Sequence, residues 1–250
     1  MVSLKSPREI DLMKDAGRIV VLVLSKIKET ARPGVTTADL DKVAERLIRE
    51  EGAVPAFKGY RGFPANICIS INEEVVHGIP GPRVLRSGDI VSVDVGVKLK
   101  GYYSDGAITI PVGQINKERE RLLAVAQEAL KRAIEKVKPG AKLKEVSAAI
   151  QETAESQGFS VVRKYVGHGI GRKMHEEPQV PNFVDSSFKL NLTLKPGMTL
   201  AIEPMVNAGT YEVKTKKNGW TVVTADGRPS AHFEHTVALT ANAAEVLTTI

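Results

Sequence analysis

The chain has 250 residues, 42% of them hydrophobic and 26% charged, enough apolar material for one substantial core and too much for a disordered chain. Its longest apolar run, Ile19 to Leu24, is far too short to cross a bilayer, and the opening MVSLKSPREIDLMKD holds no apolar signal core, so a soluble, unexported, cytoplasmic protein is expected. A balance of 35 basic to 29 acidic residues gives +6, yet no basic block or aromatic-interleaved motif marks a nucleic-acid reader, and the single cysteine, Cys68, excludes an internal disulfide.

Ser6-Pro7-Arg8-Glu9 has the form of a capping box with proline in the first turn, and it opens an apolar-faced helix reaching to about Lys28. Arg32-Pro33-Gly34 ends that helix, and Thr37 is placed to cap a second, from Ala38 to Glu51, that stops at Gly52. A glycine- and aromatic-rich stretch, Gly59 to Pro64, leads into two short strands, Ala65 to Ile71 and Glu74 to Val76, and then into His77-Gly78-Ile79-Pro80. Ile90 to Ile110 alternates with period two and reads as a hairpin. If Lys98 to Gly101 form a four-residue turn, Asp94 falls directly opposite Asp105, and the repulsion between two carboxylates on one face would call for a divalent cation. A register differing by one would instead turn the two aspartates to opposite faces. A charged amphipathic helix from about Lys117 to Lys136 follows.

From there the pattern repeats. Lys138-Pro139-Gly140, a helix containing Glu145 and a stop at Gly158 restate Arg32-Pro33-Gly34, the helix with Asp39 and the stop at Gly52, each 106 positions later. Leu85-Arg86-Ser87-Gly88 ahead of Asp94 is matched by Leu194-Lys195-Pro196-Gly197 ahead of Glu203, a shift of 109, and His77-Gly78-Ile79 is echoed by His168-Gly169-Ile170. Repeats this long are subdomains rather than solenoid units, so two similar α/β halves, roughly 5–112 and 117–245, are expected to form one domain about a pseudo-twofold.

The second half adds His168, Glu203 and Glu234, both glutamates being expected on strands. Asp94, Asp105, His168, Glu203 and Glu234 thus offer four carboxylates and one imidazole, more than one ion needs. Such a set suits manganese, iron, cobalt or zinc, and two bridged divalent ions could hold a hydroxide and polarise a carbonyl, so hydrolysis is the expected chemistry. His77 and His175, in loops near these residues, are candidate catalytic and substrate-binding donors to a scissile amide. Each could equally be an ordinary histidine with a satisfied hydrogen bond. Alternation in Ala231-His232-Phe233-Glu234-His235 puts His232 with Glu234 and sends His235 to the other face, behind the site, leaving the role of His232 open.

With those residues assembled, the sequence resembles a type I methionine aminopeptidase over essentially its whole length. Ser70-Ile71-Asn72-Glu73, His77-Gly78-Ile79-Pro80, Asp94-Val95-Gly96, His168-Gly169-Ile170-Gly171, His175-Glu176-Glu177-Pro178, Ile202-Glu203-Pro204 and Glu234-His235-Thr236 stand where that family has them. The resemblance implies the pita-bread fold, a pseudo-twofold α/β sandwich of two duplicated α+β halves with a central antiparallel sheet, as a single catalytic domain over 1–250. It implies two divalent ions on the five residues above, with Asp94 chelating one through both oxygens, Asp105 and Glu234 bridging, and Glu203 as proton shuttle. The implied reaction is removal of initiator methionine from nascent chains when the next residue is small, with a metal-bridged water or hydroxide attacking the scissile carbonyl. Phe57, Tyr60, Phe63, Cys68, Trp220 and Met174 would line the methionine pocket, where polarizable sulfur packs well on aromatic edges. Met174 stands where many relatives have an aromatic residue, and Phe57 where some bacterial ones have cysteine, departures that bear on pocket shape. The resemblance also implies a monovalent cation on backbone oxygens near Asn72, Glu74 and Ser230.

A prolidase or aminopeptidase P would use the same five ligands but carry a large N-terminal domain that 250 residues are not expected to hold, and a type II enzyme would need an insert between His175 and Trp220. A binding module of the same fold would be expected to have lost ligands. A transient contact with the ribosome through Lys214, Lys216 and Lys217, carried toward solvent on a hairpin turn, is a separate expectation. Neither a membrane nor a specific DNA site is expected.

Overall fold

The computed structural model describes residues 2–249. In chain order the elements are α1 (Pro7–Thr30), α2 (Thr37–Glu50), β1 (Val54–Pro55), β2 (Cys68–Ile71), β3 (Glu74–Val76), β4 (Ile90–Leu99) and β5 (Tyr102–Pro111). Then come α3 (Lys117–Glu135), α4 (Leu143–Glu155), β6 (Ser160–Val161), β7 (Gly167–Gly169), β8 (Glu176–Val180), β9 (Thr199–Ile202) and β10 (Met205–Asn207). The chain ends with β11 (Val213–Thr215), β12 (Val222–Thr224), β13 (Ser230–His232), β14 (Glu234–Leu239) and β15 (Ala244–Val246).

Local chemistry sets the helix starts. Ser6 and Glu9 close the capping box of α1. On α2 the cap is Thr36 rather than Thr37, its hydroxyl accepting the Asp39 N–H at 3.1 Å, because the Thr37 hydroxyl is spent on the Gly81 carbonyl at 2.9 Å.

The main sheet runs β1-β4-β5-β14-β9-β7-β8, with β2 also on β4 and β15 on β14, and every pairing is antiparallel. Outward from the central β5–β14 pair the order is β4 then β2 on one side, and β9 then β7 on the other. The two halves carry matching bonds. Gly34 N–H donates to the Leu85 carbonyl at 3.0 Å and Gly140 N–H to that of Leu194 at 2.9 Å, and the bridge Thr36↔Val84 has its counterpart in Lys142↔Thr193.

Alternation along β4 separates core from site. Val91, Val93, Val95 and Val97 bury against α1 and α2, while Ser92, Asp94 and Gly96 point the other way. A second core, including Leu122, Leu130, Val146 and Ile150, lies between α3, α4 and the other half of the sheet. Helices therefore cover one face of the sheet and leave the other for chemistry. Among the described residues, no helix is long and apolar enough to cross a membrane.

The β4–β5 hairpin departs from the four-residue turn that the sequence suggests. Leu99 pairs with Tyr102 across a two-residue turn of Lys100 and Gly101, with φ of 48° and 87°, the left-handed pair that a type I′ turn requires. The register moves by two residues, so Asp105 opposes Gly96 and Asp94 opposes Ala107. An even shift keeps both aspartates on one face but makes them diagonal rather than direct neighbours, and their carboxyl groups still reach each other across the diagonal.

Candidate functional site

Two adjacent rows across the uncovered face of the sheet assemble the site. One row runs Cys68, Asp94, Ala107, Glu234 over β2, β4, β5 and β14. The neighbouring row contains Gly96 and Asp105 on one side and, across β14, Ala201 and His168 on the other. Glu203 lies one residue past the end of β9 rather than within a strand, two positions beyond Ala201 and so directed to the same face. Small residues, Gly96, Ala107 and Ala201, alternate with the large polar ones and leave a depression between them. At the seam of the two halves Thr236 replaces ladder bonds: its hydroxyl accepts the Asp105 N–H at 2.9 Å and donates to the Asp105 carbonyl at 2.8 Å.

All five ligand-type residues line one cavity of about 350 Å³, together with His77, His175, Phe57, Tyr60, Phe63, Cys68, Met174 and Trp220. Ligand atoms of Asp105, His168 and Glu234 lie within 4.8 Å of one another, and Glu203 Oε1 is 3.6 Å from His168 Nε2. His168 Nδ1 is 2.9 Å from the Gly169 carbonyl, an acceptor that places the ring proton there and leaves the Nε2 lone pair facing the carboxylates.

The electrostatics are those of a site built around positive charge. Burial raises Asp94, Glu203 and Glu234 well above the usual carboxylate range, with the Asp105 charge next in each case, and burial lifts Asp105 to about 7. Burial likewise drops His168 to about 4 and His232 to about 3, so both rings are neutral and supply no compensating charge. Asp94 Oδ1 and Glu234 Oε1 are buried without a hydrogen-bond partner, a costly arrangement unless a cation takes their lone pairs. Four clustered carboxylates, two orphaned oxygens and a free imidazole nitrogen fit divalent metal.

The cavity wall is apolar. Phe57, Phe63, Cys68 and Met174 are buried in one cluster, with Tyr60 and Trp220 packed against it. Phe63 and Trp220 meet edge to face at 5.2 Å, and Phe57 covers Gly96, where a Cβ would stand 2.6 Å from the ring. His175 lies at the exposed mouth, its ring 4.1 Å from that of His168 and its Nδ1 2.9 Å from the Tyr60 hydroxyl. Desolvation of its inner edge, then the neighbouring His168, Arg61 and His77, hold it below the ordinary imidazole range. His77 is lowered by burial and meets Tyr165 edge to face at 5.5 Å.

The chain is similar over its length to known metallopeptidases. The model of metallopeptidase family M24 matches residues 11–241, and the chain is 51% identical to methionine aminopeptidase 1 of Bacillus subtilis over 250 residues, the whole of both chains. The chain belongs to family M24, among the bacterial-type methionine aminopeptidases. It is also 48% identical to the methionine aminopeptidase of Escherichia coli K12, covering 99% of this chain and 94% of that one. The crystal structure of methionine aminopeptidase from Thermotoga maritima superposes with a TM-score of 0.97 at 47% identity, covering all of both chains. The protein is a metalloexopeptidase with the pita-bread architecture of that family.

Within this M24 site several features were beyond the reach of residue spacing. His232, left open by the sequence, sits with Nε2 3.7 Å from Glu203 Oε2 and without a hydrogen-bond partner, so it backs the glutamate on the side away from His168. His235 bonds Thr248 at 3.1 Å. Tyr165, Lys164, Arg61 and Gln179 also line the cavity and carry no motif signal of their own. Around the monovalent-cation residues, Ser230 N–H donates to the Asn72 carbonyl at 2.8 Å. The Glu74 carboxylate accepts the Ile71 N–H at 2.9 Å and pairs with Lys216 at 2.6 Å and Arg83 at 3.2 Å. Lys216 is thus engaged in an ion pair, whereas Lys217 is exposed on the hairpin and Lys214 reaches the Ala225 carbonyl at 3.3 Å.

Proposed function

We propose that the enzyme removes the initiator methionine from nascent chains whose second residue is small, using two divalent ions held by Asp94, Asp105, His168, Glu203 and Glu234. What carries this reading is the meeting, in one cavity, of a carboxylate-rich centre with a wall of aromatic rings and sulfur. When bound, a pair of such ions lowers the pKa of water and polarises a carbonyl. The chain's residues do the rest. Phe57, Phe63, Cys68, Met174 and Trp220 receive the methionine side chain, whose thioether packs on their edges, and exclude water around the scissile bond. Tyr60 and the ring of His175 close the mouth. With Nδ1 of the neutral ring accepting from Tyr60, the His175 proton sits on Nε2, from which it can donate to the substrate amide or its developing oxyanion. His77 is the second such donor. Glu203, raised in pKa by burial and flanked by two neutral imidazoles, is suited to take and return a proton.

Iron, manganese, cobalt and zinc all suit this ligand set. A monovalent cation near the backbone of Asn72, Glu74 and Ser230, a cytoplasmic location and transient ribosome contact through Lys214 and Lys217 belong to the same reading. The deciding experiment measures free methionine from Met-Ala-Ser and Met-Leu-Ser, before and after chelation and after metal return. Release from the first peptide alone, abolished by chelator and restored by metal, is expected. Equal cleavage of both peptides, or cleavage indifferent to chelator, would refute the proposal.

A further inference from the structure

Lys5, ahead of α1, is a buried lysine far in sequence from every site residue. Its side chain is only 2% exposed, and its ammonium pairs with Glu176 at 2.5 Å, with a second bond to the Ser3 carbonyl at 3.2 Å. Glu176 follows His175 directly. The other oxygen of Glu176 accepts the Lys173 N–H at 3.1 Å, so one carboxylate closes the 173–176 turn and fastens it to the N-terminal segment. That segment is itself fixed, since Lys5 N–H donates to the Gly197 carbonyl at 2.7 Å. The lysine stem passes directly beneath the loop: a Cβ on Gly171 would lie 2.3 Å from Lys5 Cε and 3.0 Å from Glu176 Oε1.

A second tie runs in parallel. Glu9 accepts from the Tyr102 hydroxyl at 2.7 Å and from Arg172 at 3.2 Å, and Tyr103 N–H donates to the Gly171 carbonyl at 2.8 Å. Taking an ammonium and a carboxylate out of water costs more than packing two apolar residues of the same volume, so such a pair is poorly explained by stability alone. It does specify one geometry. On the mouth side, Tyr60 holds the His175 ring, and beneath the loop Lys5 and Glu176 hold its backbone.

We propose that Lys5 and Glu176 are positioning residues for His175, so that the N-terminal segment sets the aim of an imidazole at the mouth of the cavity. The inference rests on the role given to His175 above. It is tested by turnover of Met-Ala-Ser by the metal-loaded enzyme carrying Lys5→Met, Lys5→Arg or Glu176→Gln, each made with and without His175→Ala. Metal content and the ring-nitrogen NMR signals of the histidines are measured on the same samples.

Lys5→Met is expected to lower kcat on the order of 10- to 100-fold, the scale of a displaced catalytic group, with KM and metal content little changed. The same substitution is expected to cost almost nothing once His175 is alanine, Lys5→Arg should recover part of the loss, and the His175 ring signals should shift while those of His77 stay. Equal fold-losses in both backgrounds, or unmoved His175 signals, would overturn the proposal. If Lys5→Met fails to fold, Glu176→Gln, which keeps size and one acceptor oxygen for the Lys173 N–H but loses the charge that pairs with Lys5, is read in the same way. Should the parent enzyme release no methionine, the reading of the site fails, while the ring signals still decide whether Lys5 orients His175.

Discussion

Replacing Asp105 with asparagine is expected to stabilise the metal-free protein while abolishing turnover. Burial raises the Asp105 pKa from the ordinary 3.8 to about 7. Between those values the unfolded chain releases a proton that the folded chain retains, so stability falls as pH rises and the penalty is complete above pH 7. At about 1.36 kcal/mol for each pH unit separating the two values, the ionised carboxylate costs the metal-free fold about 4 kcal/mol, a ceiling because water entering the cavity would screen it. Asparagine removes the charge and keeps the acceptor for the Gly106 N–H, now 3.0 Å from Asp105 Oδ1. For a chain of this length a gain of about 4 kcal/mol raises Tm by about 10 °C. Calorimetry in chelator should show that gain near pH 8 and almost none near pH 4, where the folded carboxyl is already protonated. With divalent metal the ranking should reverse, because the wild type gains binding energy that the variant lacks. A less stable variant at pH 8, or an equal gain at both pH values, would refute the charge argument.

His175→Ala should leave metal stoichiometry intact and lower kcat by about 10²- to 10³-fold, the usual cost of removing one donor to a developing oxyanion; loss of metal would make His175 a ligand instead. Gly96→Ala drives a methyl group to 2.6 Å from the Phe57 ring, and the displaced wall should raise KM for methionyl peptides and cost about 1–3 kcal/mol in denaturant unfolding. Lys214→Glu with Lys217→Glu should weaken salt-sensitive co-sedimentation with ribosomes while peptide turnover stays unchanged. Lys216 is left out of that variant because its ammonium neutralises the buried Glu74; unchanged sedimentation would count against the hairpin.

Much of the fold was legible because its signals are local. The capping box at Ser6 and Glu9, the period-two run of β4 and the duplicated Pro-Gly stops each act over a few residues, and the structure places α1, β4 and the end of α3 within two residues of where those signals put them. Of the misses, one had a local cause and one a distant cause. Lys100 takes a left-handed conformation usual for glycine or asparagine, so a two-residue turn at Lys-Gly carried no sequence mark. Thr36 took the cap of α2 because the hydroxyl of Thr37 had a partner 44 residues away.

The identity of the chemistry lay in the sequence, since four carboxylates and one imidazole, with Asp94 and Glu203 at corresponding positions of the two halves, have few uses besides binding divalent metal. What the chain order could not contain was distance between segments. That Asp94 and Asp105 are diagonal rather than opposed, that His232 backs Glu203, that Lys216 is already paired and that Lys5 lies beneath the His175 loop all depend on strands and loops brought together by packing. Residue type decides which bonds a side chain can make, and only the folded chain decides which partner is within reach.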